Sequence, residues 1–292
     1  MSEPLGFSVR IFVPSGEPEG TRVIEKSNWT GQGLVFPRPR FAEIRSREEL
    51  NRTGVYVLWG LGSSEQLPLV YVGEGDVLLP RLDSHAKNKD FWTHGVVFTS
   101  KDQNLNKAHV QYLEARLVGL ATEAKRCELD NANIPQEPSL SDADRADAEL
   151  YLADMLLCLP VVGVNFFEKP REPAGKRQDL FLKAKGIQAR GYEGTSDFVV
   201  RTGSQAVKNE VASISPSISD LRKALLNQGV LEDAGTAYRF VQDYIFNSPS
   251  NAASVLLGMR STGRIQWKDT EGRSLKEIQD AAVEGTDEPV VE

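Results

Sequence analysis

The sequence predicts an α+β protein with two domains, the first a small mixed β-sheet with flanking helices and the second another α+β unit. Two runs rich in Val, Tyr and Leu, GVYVLWG and LPLVYVG, are typical of neighbouring strands. The segment after Asn106 carries apolar residues at the spacing of an amphipathic helix. A stretch rich in Pro, Gly and charge, EKPREPAGKRQ, predicts a boundary between the domains.

These signals divide the chain into five segments. The first contains FSVRIFV, whose alternating apolar and polar residues are typical of a half-buried strand. The predicted segments are an N-terminal β extension at 1–50, a first domain at 51–168, a linker at 169–178, a second domain at 179–280 and an acidic disordered tail at 281–292.

Composition is that of an ordinary globular protein, with 292 residues, 40% hydrophobic content and a formal net charge of −7. No apolar run approaches the length of a membrane span, and the N-terminus lacks the pattern of a signal peptide. The two cysteines, Cys127 and Cys158, form no CxxC pair, so we expect neither a disulfide framework nor structural zinc, and we expect a cytoplasmic location. The negative net charge implies that any DNA-binding surface is a local patch, assisted by metal ions.

The first domain reads in the order β-β-α-β-α. Strands are predicted at 54–60 and 67–73, joined by the loop LGSSEQ, and a third strand at 95–100. Asp76 is a potential N-cap for a first helix, and Asn106 is expected to cap a long second one.

Helix-start signals also occur later in the chain. Ser141, with Asp144 three residues on, resembles a capping box. In SPSNAASVLLG, Ser248 is expected to be the N-cap, Pro249 the first helical residue and Gly258 the terminator.

Five polar residues of the first domain form a candidate chemical site, although each also has an ordinary structural explanation. Tyr56 and Tyr71 are strand tyrosines, which usually pack amphipathically. Arg81 and His85 are four residues apart and share a helix face, where both are explained equally well as surface residues. Glu114 lies beside an apolar helical stripe and could equally form a structural ion pair with Lys107, one helical stripe away, or with Arg81.

Taken together and in order, these residues resemble the GIY-YIG nuclease superfamily. The resemblance covers about residues 50–125, and it is specific because five spaced positions agree. The matching positions are GVY at 54–56, YVG at 71–73, Arg81, His85 and Glu114. Both tripeptides carry Val where the family name has Ile, and the loop between the strands is longer than is usual in the family.

The resemblance implies a metal-dependent endonuclease that hydrolyses DNA phosphodiester bonds in restriction, phage defence or repair. Glu114 would hold one Mg²⁺ or Mn²⁺ ion, with water and phosphate oxygens as the other ligands. Arg81 would stabilise the charge of the transition state. Tyr56 would be the general base, its pKa lowered from about 10 by a nearby cation (Arg81, the metal ion or His85). His85 would relay a proton or contact phosphate, and Tyr71 would orient water or the scissile group.

Other residues are expected to bind the substrate. Gly73 leaves space for it, because no Cβ projects there. Lys101 and Lys107 are expected to contact the DNA backbone without reading its sequence. The family also has a late Asn, for which Asn131 and Asn133 are both candidates.

The C-terminal half also resembles a known domain. SPSNAASVLLG and TGRIQWKDTEG, within residues 215–280, resemble a domain of unknown function that is often attached to bacterial and phage GIY-YIG proteins. That domain is distantly similar to domains associated with restriction and DNA modification. DNA contact and a pure folding role are both compatible with these residues.

Two other classes of function share some of these sequence features. A non-catalytic protein that binds or scaffolds nucleic acid, DNA or RNA, is favoured by the acidic balance and opposed by the intact five-residue set. A nucleotide-binding enzyme, suggested by GEGD, is rejected because neither GxxxxGK nor GxGxxG is present. The sequence leaves the oligomeric state open, and a homodimer is one arrangement in which a single small site could cut both strands.

Overall fold

The computed structural model describes residues 6–62, 67–170 and 178–284. These residues form two compact units, one of 6–62 with 67–168 and one of 169–170 with 178–284. Most of the predicted linker, at 171–177, lies outside the described residues, as does the end of the predicted tail, at 285–292. The part of that tail that is described, from 281 to 284, is helical.

The first unit is built on one seven-stranded sheet in the order β1-β2-β3-β6-β4-β5-β7. Neighbouring strands are antiparallel, except that β5 and β7 are parallel. The N-terminal strands belong to this sheet, because β3 pairs with β6 over seven residues. The strands are β1 (Val9–Phe12), β2 (Arg22–Lys26), β3 (Gly31–Pro37), β4 (Gly54–Leu61), β5 (Pro68–Gly75), β6 (Trp92–Ser100) and β7 (Glu128–Leu129).

Four α-helices accompany this sheet, and their starts follow local sequence signals only in part. Asn106 caps the long helix α3 in a capping box with His109, as predicted. Ser141 caps α4. The proposed cap at Asp76 is wrong, because the residue before α2 is Val77 and no side chain caps the helix. The helices are α1 (Phe41–Ile44), α2 (Leu78–Asn88), α3 (Lys107–Ala124) and α4 (Asp142–Cys158).

The two faces of the sheet carry separate cores, because successive strand residues point in opposite directions. Helix α3 packs on the face of the valines, and α2 packs on the face of Tyr56. The first core includes Val55, Val57, Val70, Val72, Leu113 and Leu117. The second includes Tyr56, Leu58, Leu78, Leu82 and Trp92. The helix that carries Arg81 and His85 and the helix that carries Glu114 therefore lie on opposite faces.

One margin of strand β5 has little backbone pairing. β7 pairs only with Leu69 and Val70. The side chain of Asn131 continues the ladder by one step, accepting from the Val72 N–H at 3.0 Å and donating to the Val72 C=O at 2.8 Å. Beyond this point, Gly73–Gly75 pair with β4 alone among the described strands. We call these three residues the β5 edge.

The second unit contains two further sheets and four helices. Ser248, Pro249 and Gly258 occupy the predicted N-cap, first-turn and C-cap positions of α6. One sheet has the order β14-β10-β9-β8 and the other the order β11-β13-β12. The elements are β8 (Leu180–Ala184), β9 (Ile187–Glu193), β10 (Phe198–Val200), β11 (Gln205–Ala206), α5 (Pro216–Asn227), β12 (Leu231–Asp233), β13 (Tyr238–Phe240), β14 (Tyr244–Phe246), α6 (Pro249–Leu257), α7 (Gly263–Gln266) and α8 (Leu275–Glu284).

Both units combine β-sheets with helices, which confirms the predicted α+β class. Within the described ranges, no helix combines the length and the apolar character that a membrane crossing requires.

Because Asn131 supplies two hydrogen bonds to the backbone of β5, we expect Asn131→Ala to lower the free energy of unfolding by about 1–3 kcal/mol. Urea unfolding monitored by circular dichroism measures this loss. Asn133→Ala is the matched control, because Asn133 is exposed and two residues away. Equal stability of the two variants would contradict the bracing role of Asn131.

Candidate active site

Gly73 makes room for the candidate site, because it has no side chain. Tyr56 of β4 lies directly opposite Gly73 of β5. A Cβ at position 73 would overlap the phenol ring and hydroxyl of Tyr56. Glycine therefore allows the Tyr56 side chain to lie across β5, with its hydroxyl at the β5 edge.

Helix α2 brings His85 to this phenol. The Tyr56 hydroxyl is 2.7 Å from Nε2 of His85. Tyr71 completes an aromatic cluster, with its ring centroid 4.7 Å from that of His85 and 6.1 Å from that of Tyr56. Three of the five predicted site residues are thus in mutual contact.

The environment keeps His85 neutral. Burial, helped by the positive charges of Lys89 and Arg81, lowers the pKa of His85 to about 4. At neutral pH the imidazole is uncharged, so Nε2 can accept a hydrogen bond from the Tyr56 hydroxyl.

The environment also keeps Tyr56 protonated. Burial raises the pKa of Tyr56 well above its usual range, and Tyr71 and Glu114 add to this effect, whereas Arg81 opposes it. The expectation that nearby cations lower the Tyr56 pKa is therefore wrong for the protein alone. The physical reason is that desolvation of the phenol outweighs the single charge of Arg81, and that neutral His85 supplies no charge.

Two carboxylates lie on the α3 side of the site. Glu74 is buried, and both of its oxygens accept hydrogen bonds from the Lys107 ammonium, at 2.8 and 2.6 Å. Glu114 makes no hydrogen bond or ion pair within the described parts of the chain. The structural ion pairs considered for Glu114, with Lys107 or Arg81, are not formed, because Lys107 binds Glu74 instead and Arg81 has no ion-pair partner among the described residues.

The unpaired Glu114 carboxylate is unusually basic. Burial and the neighbouring Glu74 charge raise the pKa of Glu114 to about 7, although Arg81 and Lys107 act in the opposite direction. Arg81 is exposed, and its charge affects both Tyr56 and Glu114. Glu114 on one face of the sheet and Arg81 on the other are thus electrostatically coupled at the β5 edge.

A cation site made only of protein ligands does not fit this geometry. In the ranges that the structure describes, no group of three or more His, Cys, Asp and Glu side chains could hold a metal ion. Mg²⁺, however, is commonly bound by one or two carboxylates, with water and substrate oxygens as the remaining ligands. Glu114 fits that arrangement, because its carboxylate has no hydrogen-bond or ion-pair partner among the described residues and an added cation would relieve its repulsion from Glu74.

The predicted substrate-binding residues have different positions. Lys101 forms an ion pair with Glu25 at 3.1 Å, and nothing in the described structure connects it to the aromatic cluster. Lys107 lies beside the site, but its charge is neutralised by Glu74. Asn131 uses its amide to hold the Val72 backbone, which gives it a bracing role, and its contact with substrate stays a prediction.

Two residues of the site, Lys89 and Glu74, were not predicted from the sequence. Lys89 lies over the Tyr71 ring, 4.4 Å from its centroid, and forms an ion pair with Asp130. It is the C-cap residue of α2, and its backbone N–H donates to the His85 carbonyl oxygen at 3.0 Å. Glu74 follows YVG directly, and the alternation of a strand places it on the α3 face. Its pairing with Lys107 joins residues far apart in sequence and had no local signal.

Comparison with known proteins assigns part of the second unit. Residues 180–279 match the family model described as a domain of unknown function (DUF4357). This match confirms that a domain of unknown function occupies the C-terminal half and extends it beyond the 215–280 region that carried the resemblance. No match to the GIY-YIG family was found for the first unit. Searches of curated proteins and of solved structures gave no match.

Gly73→Ala tests the close approach of Tyr56 to β5. The new methyl group would displace the phenol, and we expect a loss of about 1–3 kcal/mol in the free energy of unfolding. Gly119→Ala is the matched control, because Gly119 lies in α3 with open space around it and alanine favours the helix by about 0.5–1 kcal/mol. Chemical denaturation measures both changes, the expected decrease in stability for Gly73→Ala and the expected increase for Gly119→Ala. An unchanged or increased stability of Gly73→Ala would contradict the described packing.

The raised pKa of Glu114 predicts a pH-dependent effect of Glu114→Gln. Between its ordinary value and about pH 7, Glu114 is charged in the unfolded chain but protonated in the folded one, so wild-type stability falls across this range and levels off above about pH 7. Gln mimics the protonated form. We therefore expect Glu114→Gln to equal wild type at about pH 4 and to exceed it by about 1–2 kcal/mol at about pH 8, allowing for solvent screening. Urea unfolding at both pH values measures the difference, with Glu123→Gln on the same helix as control, and an equal effect at both pH values would contradict it.

Proposed function

We propose that the first unit is a metal-dependent endonuclease that hydrolyses phosphodiester bonds of DNA, with Tyr56, Arg81 and Glu114 in the central roles. One observation carries this proposal. An arginine and a carboxylate without hydrogen-bonded partners in the described structure flank a tyrosine at the β5 edge. A guanidinium suits the phosphoryl oxygens, a carboxylate suits a divalent ion and a phenol can handle the proton of an attacking water.

The proton path is supported by the contact between Tyr56 and His85. Because the phenol is protonated, it acts as a relay rather than as a pre-formed phenolate. Its oxygen accepts a proton from the attacking water while its own proton passes to Nε2 of neutral His85, 2.7 Å away. Tyr71 packs against His85 and keeps the imidazole in place.

Arg81 and Glu114 divide the phosphate charge between them. Arg81 is exposed at the edge and can donate two parallel hydrogen bonds to phosphoryl oxygens, which lysine cannot reproduce. Glu114 is the residue that would hold Mg²⁺ or Mn²⁺. When bound there, such an ion supplies Lewis-acid stabilisation of the phosphoryl oxygens. Lys107 neutralises Glu74, which reduces the negative charge that a phosphate would meet.

A non-catalytic nucleic-acid-binding role is the second candidate. It is favoured by the elevated pKa of Tyr56, which makes the phenol a weak base in the protein alone. The two candidates differ in one property, because only the first requires turnover.

Plasmid cleavage tests the proposal. We expect wild-type protein to nick plasmid DNA with Mg²⁺ or Mn²⁺ and to lose this activity in EDTA. Because general acid–base assistance is worth about 10²–10⁴ in rate, Tyr56→Phe should lower cleavage by at least about 100-fold. Arg81→Ala and Glu114→Ala should have effects of similar size, since each removes charge stabilisation of the transition state.

Matched controls come from helix α3. Tyr112→Phe, Arg116→Ala and Glu123→Gln change the same residue types away from the aromatic cluster and should cleave like wild type. Cleavage that survives all three site substitutions would place the chemistry elsewhere. DNA binding without cleavage under either metal would favour the non-catalytic candidate.

A further inference from the structure

Strand β8 and the first part of β9 form the open end of the four-stranded sheet of the second unit, whereas β10 and β14 are buried on both faces. Along β8, Leu180 and Leu182 are buried, whereas Phe181 is partly exposed and Lys183 is exposed. On β9, Arg190 is exposed between buried neighbours. We call the side of Phe181, Lys183 and Arg190 the outer sheet face.

Strand register places an aromatic ring between two cations on this face. Phe181 is directly opposite Arg190 of β9. On its other side Phe181 forms a β-bridge with Lys268, with hydrogen bonds of 2.7 and 2.9 Å in the two directions. Side chains of directly opposed residues lie on the same face of a sheet. Arg190, Phe181 and Lys268 therefore form one row across three backbone segments, about 10 Å from end to end at ordinary strand spacing.

A third cation extends this row along the strand. Lys183 follows Phe181 by two residues, so its side chain lies on the same face, opposite exposed Gln188. The outer sheet face thus presents a partly exposed ring surrounded by Lys183, Arg190 and Lys268. Two carboxylates lie at its margins. Asp179 precedes Phe181 by two residues, and Glu277 is electrostatically coupled to Lys268.

The cations of the outer sheet face differ from most others in this unit. None of Lys183, Arg190 and Lys268 makes a hydrogen bond or ion pair through its side chain with another described residue. The ion-paired cations of the same unit are Arg201, Lys208, Arg222, Lys223, Arg264, Arg273 and Lys276. Other cations without an ion pair in the described ranges include Arg239 of the three-stranded sheet, Arg260, and Lys185, whose ammonium donates to the Leu257 carbonyl oxygen. Three cations without such partners thus lie around Phe181.

A partly exposed aromatic ring among cations without ion-pair partners has the chemistry of a single-strand nucleic-acid platform. Bases of every type can stack on an aromatic side chain, and lysine and arginine neutralise the phosphates between them. A duplex hides its base faces, so it could use the cations but not the ring. An acidic peptide would likewise use only the charges.

We infer that the outer sheet face of the second unit binds single-stranded nucleic acid, with Phe181 stacking on a base and Lys183, Arg190 and Lys268 contacting phosphates. This inference does not rest on the proposed nuclease activity, because binding requires neither a metal ion nor the residues of the first unit.

Fluorescence anisotropy of the full-length protein in EDTA tests this inference. The probes are oligothymidylate and oligouridylate of about 20 nucleotides, which exceeds the site size of comparable platforms, and a duplex of equal length. We expect tighter binding of both single strands than of the duplex. Phe181→Leu should weaken single-strand binding about tenfold, since one stacked base is worth about that much, and should leave duplex binding unchanged.

Salt dependence separates the ring from the charges. Each phosphate contact with a single strand contributes about 0.7 to the slope of log affinity against log salt. Arg190→Gln and Lys268→Gln should each reduce the slope by about that amount, whereas Phe181→Leu should not change it. Lys223→Gln is the control, because Lys223 is exposed on α5 and paired with Asp220. Thermal unfolding of each variant shows whether it is folded.

Three outcomes would overturn the inference. The first is that wild type does not bind single strands. The second is that all three site variants, Phe181→Leu, Arg190→Gln and Lys268→Gln, bind like wild type, which would place binding elsewhere in the chain. The third is equal competition by polyglutamate together with no effect of Phe181→Leu, which would make the face a general contact for acidic polymers. If Phe181→Leu is unfolded, the surface variants Arg190→Gln and Lys268→Gln decide the question through their slopes.

Discussion

The candidate site depends on the unpaired edge of strand β5. In a sheet whose two faces are covered by different helices, side chains from opposite faces are normally kept apart by the backbone between them. Here β7 and the Asn131 amide pair with β5 only as far as Val72, and glycines follow at 73 and 75. Tyr56 and Arg81 from one face and Glu114 from the other become electrostatically coupled around this edge. Every chemical role proposed for the first unit requires that convergence.

Burial explains why the tyrosine of this site differs from a free phenol. The packing that brings Tyr56 to His85 also removes water from both side chains, which raises the pKa of the phenol and lowers that of the imidazole. Each group is thereby held in its neutral form. A neutral donor and a neutral acceptor 2.7 Å apart form a hydrogen bond in which neither side chain carries a charge. Burial also favours the neutral form of Glu114, but a bound cation would offset this effect and favour the charged carboxylate.

Local sequence was sufficient for part of this description. The valine-rich strands around GVY and YVG, the cap at Asn106 and the helical pairing of Arg81 with His85 follow from propensity and spacing. The rest depends on contacts between distant residues. The pairing of β3 with β6, the return of Asn131 to Val72 and the binding of Glu74 by Lys107 each join segments more than 30 residues apart. The local signal for a helix cap at Asp76 gave a wrong prediction, because Val77, in an extended conformation, lies between Asp76 and the helix. The pKa of Tyr56 was misjudged because neighbouring charges can be read from spacing, whereas desolvation cannot.

Because the chain is acidic overall, the cations without ion-pair partners are the groups available to contact a phosphate. A protein with a net charge of −7 repels polyanions at long range, so any phosphate contact must come from cations that are not neutralised locally. In the first unit, Lys101 and Lys107 are neutralised by Glu25 and Glu74, whereas Arg81 has no ion-pair partner among the described residues. In the second unit, several cations are paired while those around Phe181 are not. This selective pairing favours a short-range binding mode, in which a phosphate is held at a few places by shape and hydrogen bonding. It disfavours non-specific coating of a nucleic acid, which requires a broad positive field.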